Sequence, residues 1–437
     1  MNTNVIKTLN YIKRNGLIKG YYAIRERLED RKAPQYQYVP ISEEERLNQI
    51  SAGMEFKTGF SILVPAYETK SEYMEALINS VKAQTYSRWE LIIADASNSL
   101  VVKDVVDKYT DNRIKYIKLS NNGGISLNSN EGLKYCSLDY VGLLDHDDVL
   151  TNDALFNMVC AIEKEKTNGT ILQMLYSDED KTNAENAEFF DAYIKEKFNY
   201  DLILSNNYIC HFTVMKTELI KELGFRKEYD GAQDHDLILR AVNALKSEYK
   251  NDYKKYIYHV KKVLYHWRCH EASTAANPKS KEYAYDAGKK AVQDALKCEG
   301  IRANVLNQPH MGFFYVDYEP DIFLNRKNVA AIAGRVIDKH NKVIDGVYNE
   351  DMTVMFKGLN KNYSGGKFHT MSCQREVSYV NIKYMKSTAT TKHILKDFLK
   401  EHKDLDEITK SRMFCDMMKD KGYVFVYDPK VIIKEND

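Results

Sequence analysis

No two cysteines of this chain are spaced as CxxC, its charges almost cancel, and no apolar run approaches the roughly 18 residues needed to span a bilayer. Each absence removes a class of protein. The seven cysteines (Cys136, Cys160, Cys210, Cys269, Cys298, Cys373 and Cys415) are odd in number and widely scattered, so neither a disulfide framework nor a structural zinc site is expected. They read as reduced thiols of a cytoplasmic protein. A net charge of +1 supplies no global field for nucleic acid, so no nucleic-acid partner is expected and any basic surface is local. The first residues lack the apolar core of a signal peptide. What is present is a chain of 437 residues, 44% hydrophobic, long enough for two or three structural units.

Residues 1–58 differ in character from the rest. Val5, Ile6, Leu9 and Ile12 recur at helical spacing among Lys7, Lys13, Arg14, Lys19, Arg25 and Arg27. Such a basic helical leader suits peripheral contact with anionic lipid at the inner face of the cell membrane, or packing on the protein's own surface. Gly16, Gly20 and the acidic patch from Glu26 to Asp30 interrupt the stripe, and Pro34 and Pro40 mark a linker.

From Phe60 onward, short β-rich runs alternate with helical stripes. FSILV (Phe60 to Val64) predicts a buried strand, followed by a helix from Ser71 to Gln84 with Tyr73, Met74, Leu77, Ile78 and Val81 on one face and Ser71 as its cap. Strands at Leu91–Ala94, Ile114–Leu119 and Tyr140–Leu144 continue the series. Between them lie helical stripes at Val102, Val105, Val106 and Tyr109, and near Ser126 to Cys136. The succession predicts an α/β fold with a mostly parallel sheet flanked by helices. Ligands of such sheets sit beyond the carboxyl ends of the strands, where PAYE (65–68), DAS (95–97) and NNGG (121–124) fall. Asp95 could accept the imide N–H of a pyrimidine or cap a helix. Lys246 to Tyr258, rich in Lys, Tyr, Asn and Asp, reads as a solvated loop without chemistry.

Two acidic stations carry most information. LLDHDD (Leu143 to Asp148) puts three carboxylates in four residues at a strand end, where they repel one another unless a hard divalent cation or an arginine joins them. GAQDHDLILR (Gly231 to Arg240) places Asp234 at the mouth of an amphipathic helix, as a general base or as a helix cap. The ordered run ILVPAYE, QTYSRWELIIADAS, NNGGIS, LLDHDD, YSDED, NYICHF, GAQDHDLILR and VLYHWR resembles a family 2 glycosyltransferase with the GT-A fold, over Phe60 to Ile301. The resemblance implies a Rossmann-like domain at 59–300. Asp145 would lie on the ribose side and Asp147 on Mn2+ or Mg2+, with His266 of YHWR completing the metal site. Asp95 would read the pyrimidine of a UDP- or dTDP-sugar, with Pro65, Tyr67, Glu68, Asn122 and Gly123 lining the nucleotide site. Asp234 would be the base of an inverting displacement, although it follows Gln233 where the family usually has Glu. Asp178, Glu179, Tyr208 and His211 would face a glycan or lipid-linked acceptor, with Trp267 and Arg268 supporting the site. The absence of QxxRW sets the chain apart from processive membrane synthases. A non-catalytic sugar-nucleotide or glycan-binding scaffold, or a nucleotidyltransferase, is the alternative.

Beyond a linker at 301–328, residues 329–437 resemble the back half of a second, degenerate GT-A domain. VSYVNIKYMKST (377–388) aligns with YICHFTVMKTEL (208–219), and RMFCDMMKDKGYVFVYDPKVIIK (412–434) with the tract from about His235 through the strand before Trp267; the latter sets Ser411 opposite Asp234, Met413 opposite Asp236 and Lys434 opposite His266. No catalytic carboxylate or imidazole survives there. This small α/β module is expected to work on the acceptor side or in assembly, covering its open sheet edge against the first domain or against a second subunit in a homodimer.

Overall fold

The computed structural model describes residues 3–30, 32, 36–270 and 282–435. It divides into two compact units, one comprising Gln35–Phe198 and Asn207–Ala295, the other Met1–Pro34, Asn199–Asn206 and Leu296–Asp437. Helices α1 (Thr3–Asn15) and α2 (Leu17–Asp30) belong to the second unit. Pro34 and the side chains of Val5, Ile6 and Lys7 lie outside the described residues.

The first unit holds α3 (Glu43–Gly53), β1 (Phe60–Ala66), α4 (Ser71–Lys82), β2 (Trp89–Asp95), α5 (Val101–Val106), β3 (Ile114–Lys118), α6 (Ile125–Leu133), β4 (Tyr140–Leu143), β5 (Val149–Leu150), α7 (Ala154–Thr167), β6 (Met174–Thr182) and β7 (Phe189–Tyr193). After α8 (Tyr200–Ser205), which groups with the other unit, come β8 (Thr213–Lys216), α9 (Thr217–Leu223), α10 (Gln233–Tyr249) and β9 (Ile257–Arg268), then α11 (Glu282–Cys298). The strands form one nine-stranded sheet in the order β3-β2-β1-β4-β8-β6-β9-β5, with β7 beside β6. β3, β2, β1 and β4 pair in parallel; β8 runs against β4 and β6, and β9 again parallels β6. The fold is therefore mixed α/β with most strands running one way. Parallel pairing demands apolar residues on both faces, and β2 is buried along its whole length. On α4 the predicted face of Tyr73, Met74, Leu77, Ile78 and Val81 is the buried one, each side chain contributing about 1.5–3 kcal/mol of burial. Ser71 does not cap that helix. Lys70 occupies the N-cap without a side-chain hydrogen bond, and the Ser71 hydroxyl donates instead to Glu72.

Lys246 to Tyr258 is not a loop. α10 runs on to Tyr249, a 3-10 turn spans Lys250–Tyr256, Tyr249 stacks on Tyr256 with ring centroids 3.6 Å apart, and Tyr253 is buried. Aromatic packing overrides a polar composition here.

In the second unit, β10 (Ala303–Asn307) and β11 (Phe314–Tyr318) form a hairpin, and α12 (Ile322–Asn325) leads to β12 (Val329–Ile337). β13 (Val343–Asp345), β14 (Val347–Tyr348), β15 (Arg375–Val377), β16 (Tyr379–Val380), β17 (Lys386–Ser387), α13 (Ala389–Glu401), α14 (Glu407–Asp420) and β18 (Val424–Lys434) follow. β12 is flanked by parallel β18 and by antiparallel β13 and β17. In the first unit β6 is flanked by parallel β9 and by antiparallel β7 and β8. Both parallel pairs break register midway, at Ser177/Asp178 and at Ala333/Arg335.

Candidate active site

The carboxyl ends of β1, β2 and β4 lie side by side, and the loops leaving them frame one end of the sheet. Glu68 sits there with φ of 48°, a left-handed conformation unusual for a residue with a side chain. Its backbone N–H donates to Ser97 Oγ at 2.7 Å, and its carboxylate accepts from Asn98 N, Ser99 N and Ser99 Oγ. Those bonds hold the Glu68 carboxyl below its ordinary range. Glu68 thus ties the β1 loop to the β2 loop, while Tyr67 beside it is 43% exposed and its ring is open to a ligand. Asp95 is fully buried; one oxygen accepts from Ser97 N at 2.9 Å and the other from the Tyr116 hydroxyl at 2.7 Å, with Lys118 at 3.6 Å. Pro65 lies in β1 opposite Ala94.

In NNGG, Asn122 Oδ1 accepts from Gly124 N and from Asn128 Nδ2, while Gly123 N donates to Asn128 Oδ1. Gly124 has φ of 95°, and a Cβ there would stand 2.4 Å from Asp230 Oδ2. Asp230 also accepts from Ser126 N. Two demands therefore require glycine at 124.

The acid cluster is tied down from below. Asp148 has no exposed surface and accepts from the Tyr265 hydroxyl at 2.6 Å and from Arg268 N at 2.7 Å. The same hydroxyl accepts from Asp145 N at 3.3 Å. Burial, then the charges on Asp147 and Asp145, push the Asp148 carboxyl well above its ordinary range. Asp147 shows the opposite balance: burial opposes its ionisation, but hydrogen bonding to His270 and the charges on His146 and His270 outweigh that and lower it. His270 Nε2 lies 2.8 Å from Asp147 Oδ2, and His146 Nδ1 lies 3.0 Å from Thr69 Oγ1. Ligand atoms of Asp145, Asp148 and His211 fall within 4.8 Å of one another, a group that could hold a metal ion. Carboxylate oxygens with an imidazole suit a divalent cation of the Mn2+ kind.

His266 occupies a different place from the one its sequence position suggests. Alternation along β9 sends Tyr265 and Trp267 toward His211, with centroids at 4.4 and 6.1 Å, and sends His266 to the other face. There its Nδ1 lies 2.5 Å from Asp180, and Tyr38 and Phe189 close over the ring. The imidazole brought to Asp147 is that of His270, four residues later.

Asp234 lies in the first turn of α10, partly exposed. Ala232 holds the N-cap position, so the capping role expected as the alternative is absent. The structural acid of this turn is Asp236, buried and bridged to Arg226 and Arg240. Burial, then the charges on Glu179 and Asp234, drive the Cys210 thiol well above its usual range, with Lys195 opposing and Asp145 adding to them. Three of the predicted carboxylates thus act electrostatically on the same thiol.

The remaining acceptor-side residues divide. Glu179 faces Lys195 Nζ at 3.1 Å and accepts from His211 N. Asp178 is buried, accepts from Lys195 N and lies 2.8 Å from His259 Nε2. Tyr208 is buried edge-on to Tyr176. Arg268 donates through Nε to the carbonyl of Asp147 and through Nη1 to that of Ala184, and its guanidinium stacks over Tyr73. Lys195, Tyr265, Asp230 and His270 were missed by sequence reasoning.

Residues 61–224 match the family model described as Glycosyl transferase family 2. An uncharacterized protein, y4gI, of Sinorhizobium fredii is 34% identical over 57% of this chain and 27% of its own length. The O-antigen biosynthesis protein RfbC of Myxococcus xanthus is 30% identical over 56% of this chain and 18% of its own. The chain thus spans less than a third of either relative. The UDP-Glc:alpha-D-GlcNAc-diphosphoundecaprenol beta-1,3-glucosyltransferase WfgD of Escherichia coli is 27% identical over 38% of this chain and 63% of its own. Among solved structures, TarS 1-349 of S. aureus in complex with UDP has a TM-score of 0.40 at 21% identity, covering 55% of this chain and 65% of that one. The resemblance to family 2 glycosyltransferases is thus matched by that family model over residues 61–224.

Proposed function

We propose that the chain transfers a sugar, with inversion at the anomeric carbon, from a UDP- or dTDP-sugar to a hydroxyl of a growing surface polysaccharide or lipid-linked glycan. The observation that carries this reading is the acid cluster at the carboxyl ends of parallel strands, with Asp145 and Asp148 beside His211 and Asp147 beside His270. Asp234 would take the proton of the acceptor hydroxyl as that oxygen attacks the anomeric carbon, a role worth ~10²- to 10⁴-fold in rate. Tyr67 would stack on the base, Asp95 would accept the pyrimidine N–H through a remaining lone pair, and Glu68 would keep the two loops at the right separation. WfgD, named for glucosyl transfer from UDP-Glc to a GlcNAc-diphosphoundecaprenol, supports the substrate classes.

Mn2+ or Mg2+, when bound, would supply the positive charge that stabilises a departing diphosphate. The pairing of Asp147 with His270 supports these two as its ligands, with His270 in the place that sequence position alone assigns to His266. The group Asp145, Asp148 and His211 is the second reading. Its weakness is Asp148, whose oxygens already accept from Tyr265 and Arg268.

The strand arrangement shared by β12 with β18, β13 and β17 and by β6 with β9, β7 and β8 supports reading residues 329–437 as a partial second copy. Without its own acid cluster, this copy would bind neither donor nor metal.

The test is a screen of nucleotide sugars for release of nucleotide diphosphate, followed by Asp234→Asn with the best donor. Turnover should fall at least ~10²-fold while donor affinity persists. Near-normal turnover in Asp234→Asn would remove the base assignment.

A further inference from the structure

We propose that α2 docks the protein on an anionic lipid bilayer, through a stripe different from the one its sequence pattern suggests. The proposal goes beyond the catalytic reading and does not depend on it. In α1, Ile12 is turned inward: a Cβ on Gly20 would meet Ile12 Cγ1 at 2.3 Å, so the two helices close on each other through that glycine. Of α1, Leu9 is 51% exposed, but most of the exposed apolar residues among those described in the two helices belong to α2. Leu17 is 78% exposed, Ile18 72%, Tyr21 58%, Ile24 41% and Leu28 53%. Leu17, Tyr21, Ile24 and Leu28 recur at intervals of four, three and four, a single helical stripe, with Ile18 widening it on one side.

The opposite face of α2 is fixed within its unit. The buried Glu26 carboxylate accepts from Ser364 N, Ser364 Oγ, Gly365 N and Gly366 N, and Tyr22 meets Tyr363 edge-on. Glu29 accepts from the Tyr363 hydroxyl and from Arg25, and Asp30 lies toward Gly366. Glu26 is thus buried and Glu29 paired with Arg25 and Tyr363, whereas Lys13, Arg14, Lys19, Arg27 and Lys32 are exposed. An apolar stripe with cations around it complements an anionic bilayer, where each nearby Lys or Arg contributes about 1 kcal/mol. A second copy of the chain is the poorer occupant. Pairing α2 with itself would set Arg25 and Arg27, which flank the stripe, near their own copies, and the exposed acid of this helix, Glu29, is already paired with Arg25.

The experiment is flotation of the full chain with vesicles of phosphatidylcholine alone and of phosphatidylcholine mixed with phosphatidylglycerol. The unaltered protein should float with the anionic vesicles and remain behind with the neutral ones. Leu17→Ser combined with Leu28→Ser should weaken that binding at least about ten-fold, and Lys19→Glu combined with Arg27→Glu should abolish the preference for phosphatidylglycerol. Thermal melting and nucleotide diphosphate release, measured on the same samples, should stay unchanged, which separates this proposal from the catalytic one. Hydrogen exchange on the unaltered chain gives a readout that needs no variant: protection gained on anionic vesicles should concentrate in residues 13–30. Equal flotation of the serine variant, protection confined to other residues, or a dimer that the serine variant dissolves without any vesicle binding would each overturn the proposal.

Discussion

At the scale of single residues, the acids that sit in short local patterns were legible, and the imidazoles were not. LLDHDD and GAQDHD lie where a strand ends and a helix opens, so their neighbours in sequence are also their neighbours in space. His270 reaches Asp147 across 123 residues, a contact that no local pattern encodes. His266 misleads for a definite reason, because one step along a strand reverses the face a side chain occupies. Substitution should separate the two histidines. His270→Ala is expected to weaken Mn2+ binding at least about ten-fold with little change in melting temperature, since outer and inner ligand losses fall in that range. His266→Ala is expected to leave Mn2+ affinity in place and to cost about 2–4 kcal/mol in stability, because it opens a cavity beneath Tyr38 and Phe189 and leaves Asp180 short of a partner. Calorimetric titration of Mn2+ and denaturant unfolding of both variants make the comparison. Loss of Mn2+ binding in His266→Ala alone would reverse the assignment.

At the scale of elements, the strands and amphipathic helices of residues 60–144 were readable because alternation and the 3.6-residue period are properties of the chain itself. The 3-10 turn at Lys250–Tyr256 was not, since it depends on Tyr249 finding Tyr256. The NNGG turn offers a sharp test at this scale. Gly124→Ala would force an L-residue into a left-handed conformation and press its Cβ on Asp230, so a loss of about 1–3 kcal/mol is expected, together with weaker nucleotide binding. Gly300→Ala, at a left-handed position with open space around its Cβ, should lose less than Gly124→Ala. Equal losses in the two variants would show that the Asp230 contact is immaterial.

At the scale of the whole molecule, the division into two units with one acid cluster of this kind among the described residues predicts one nucleotide site per chain. No described helix is long and apolar enough to cross a membrane. The unit containing α13 and α14 should also respond to acid in its own way. His310 and His369 stack with centroids 3.4 Å apart, and burial lowers them to about 4 and about 3. Their folded forms are neutral imidazoles whose protonation is depressed below the ordinary histidine range near 6.5. The unfolded chain therefore binds more protons, and stability should fall as pH drops from about 6.5 toward about 4, by up to about 1.4 kcal/mol per pH unit for each histidine. Hydrogen exchange of β12 and β18 at successive pH values measures this. His310→Gln should flatten the slope, and an unchanged slope would place the acid sensitivity elsewhere.

The central claim is that the carboxylates at the ends of β1, β2 and β4 form a metal-assisted site for a nucleotide diphosphate. Calorimetric titration of UDP, with Mn2+ present and after chelation, tests it most directly, in the unaltered chain and in Asp147→Ala. One site per chain, occupied in Mn2+ and lost both on chelation and in Asp147→Ala, is the predicted result. Affinity for UDP that survives chelation unchanged, or a second site per chain, would contradict it.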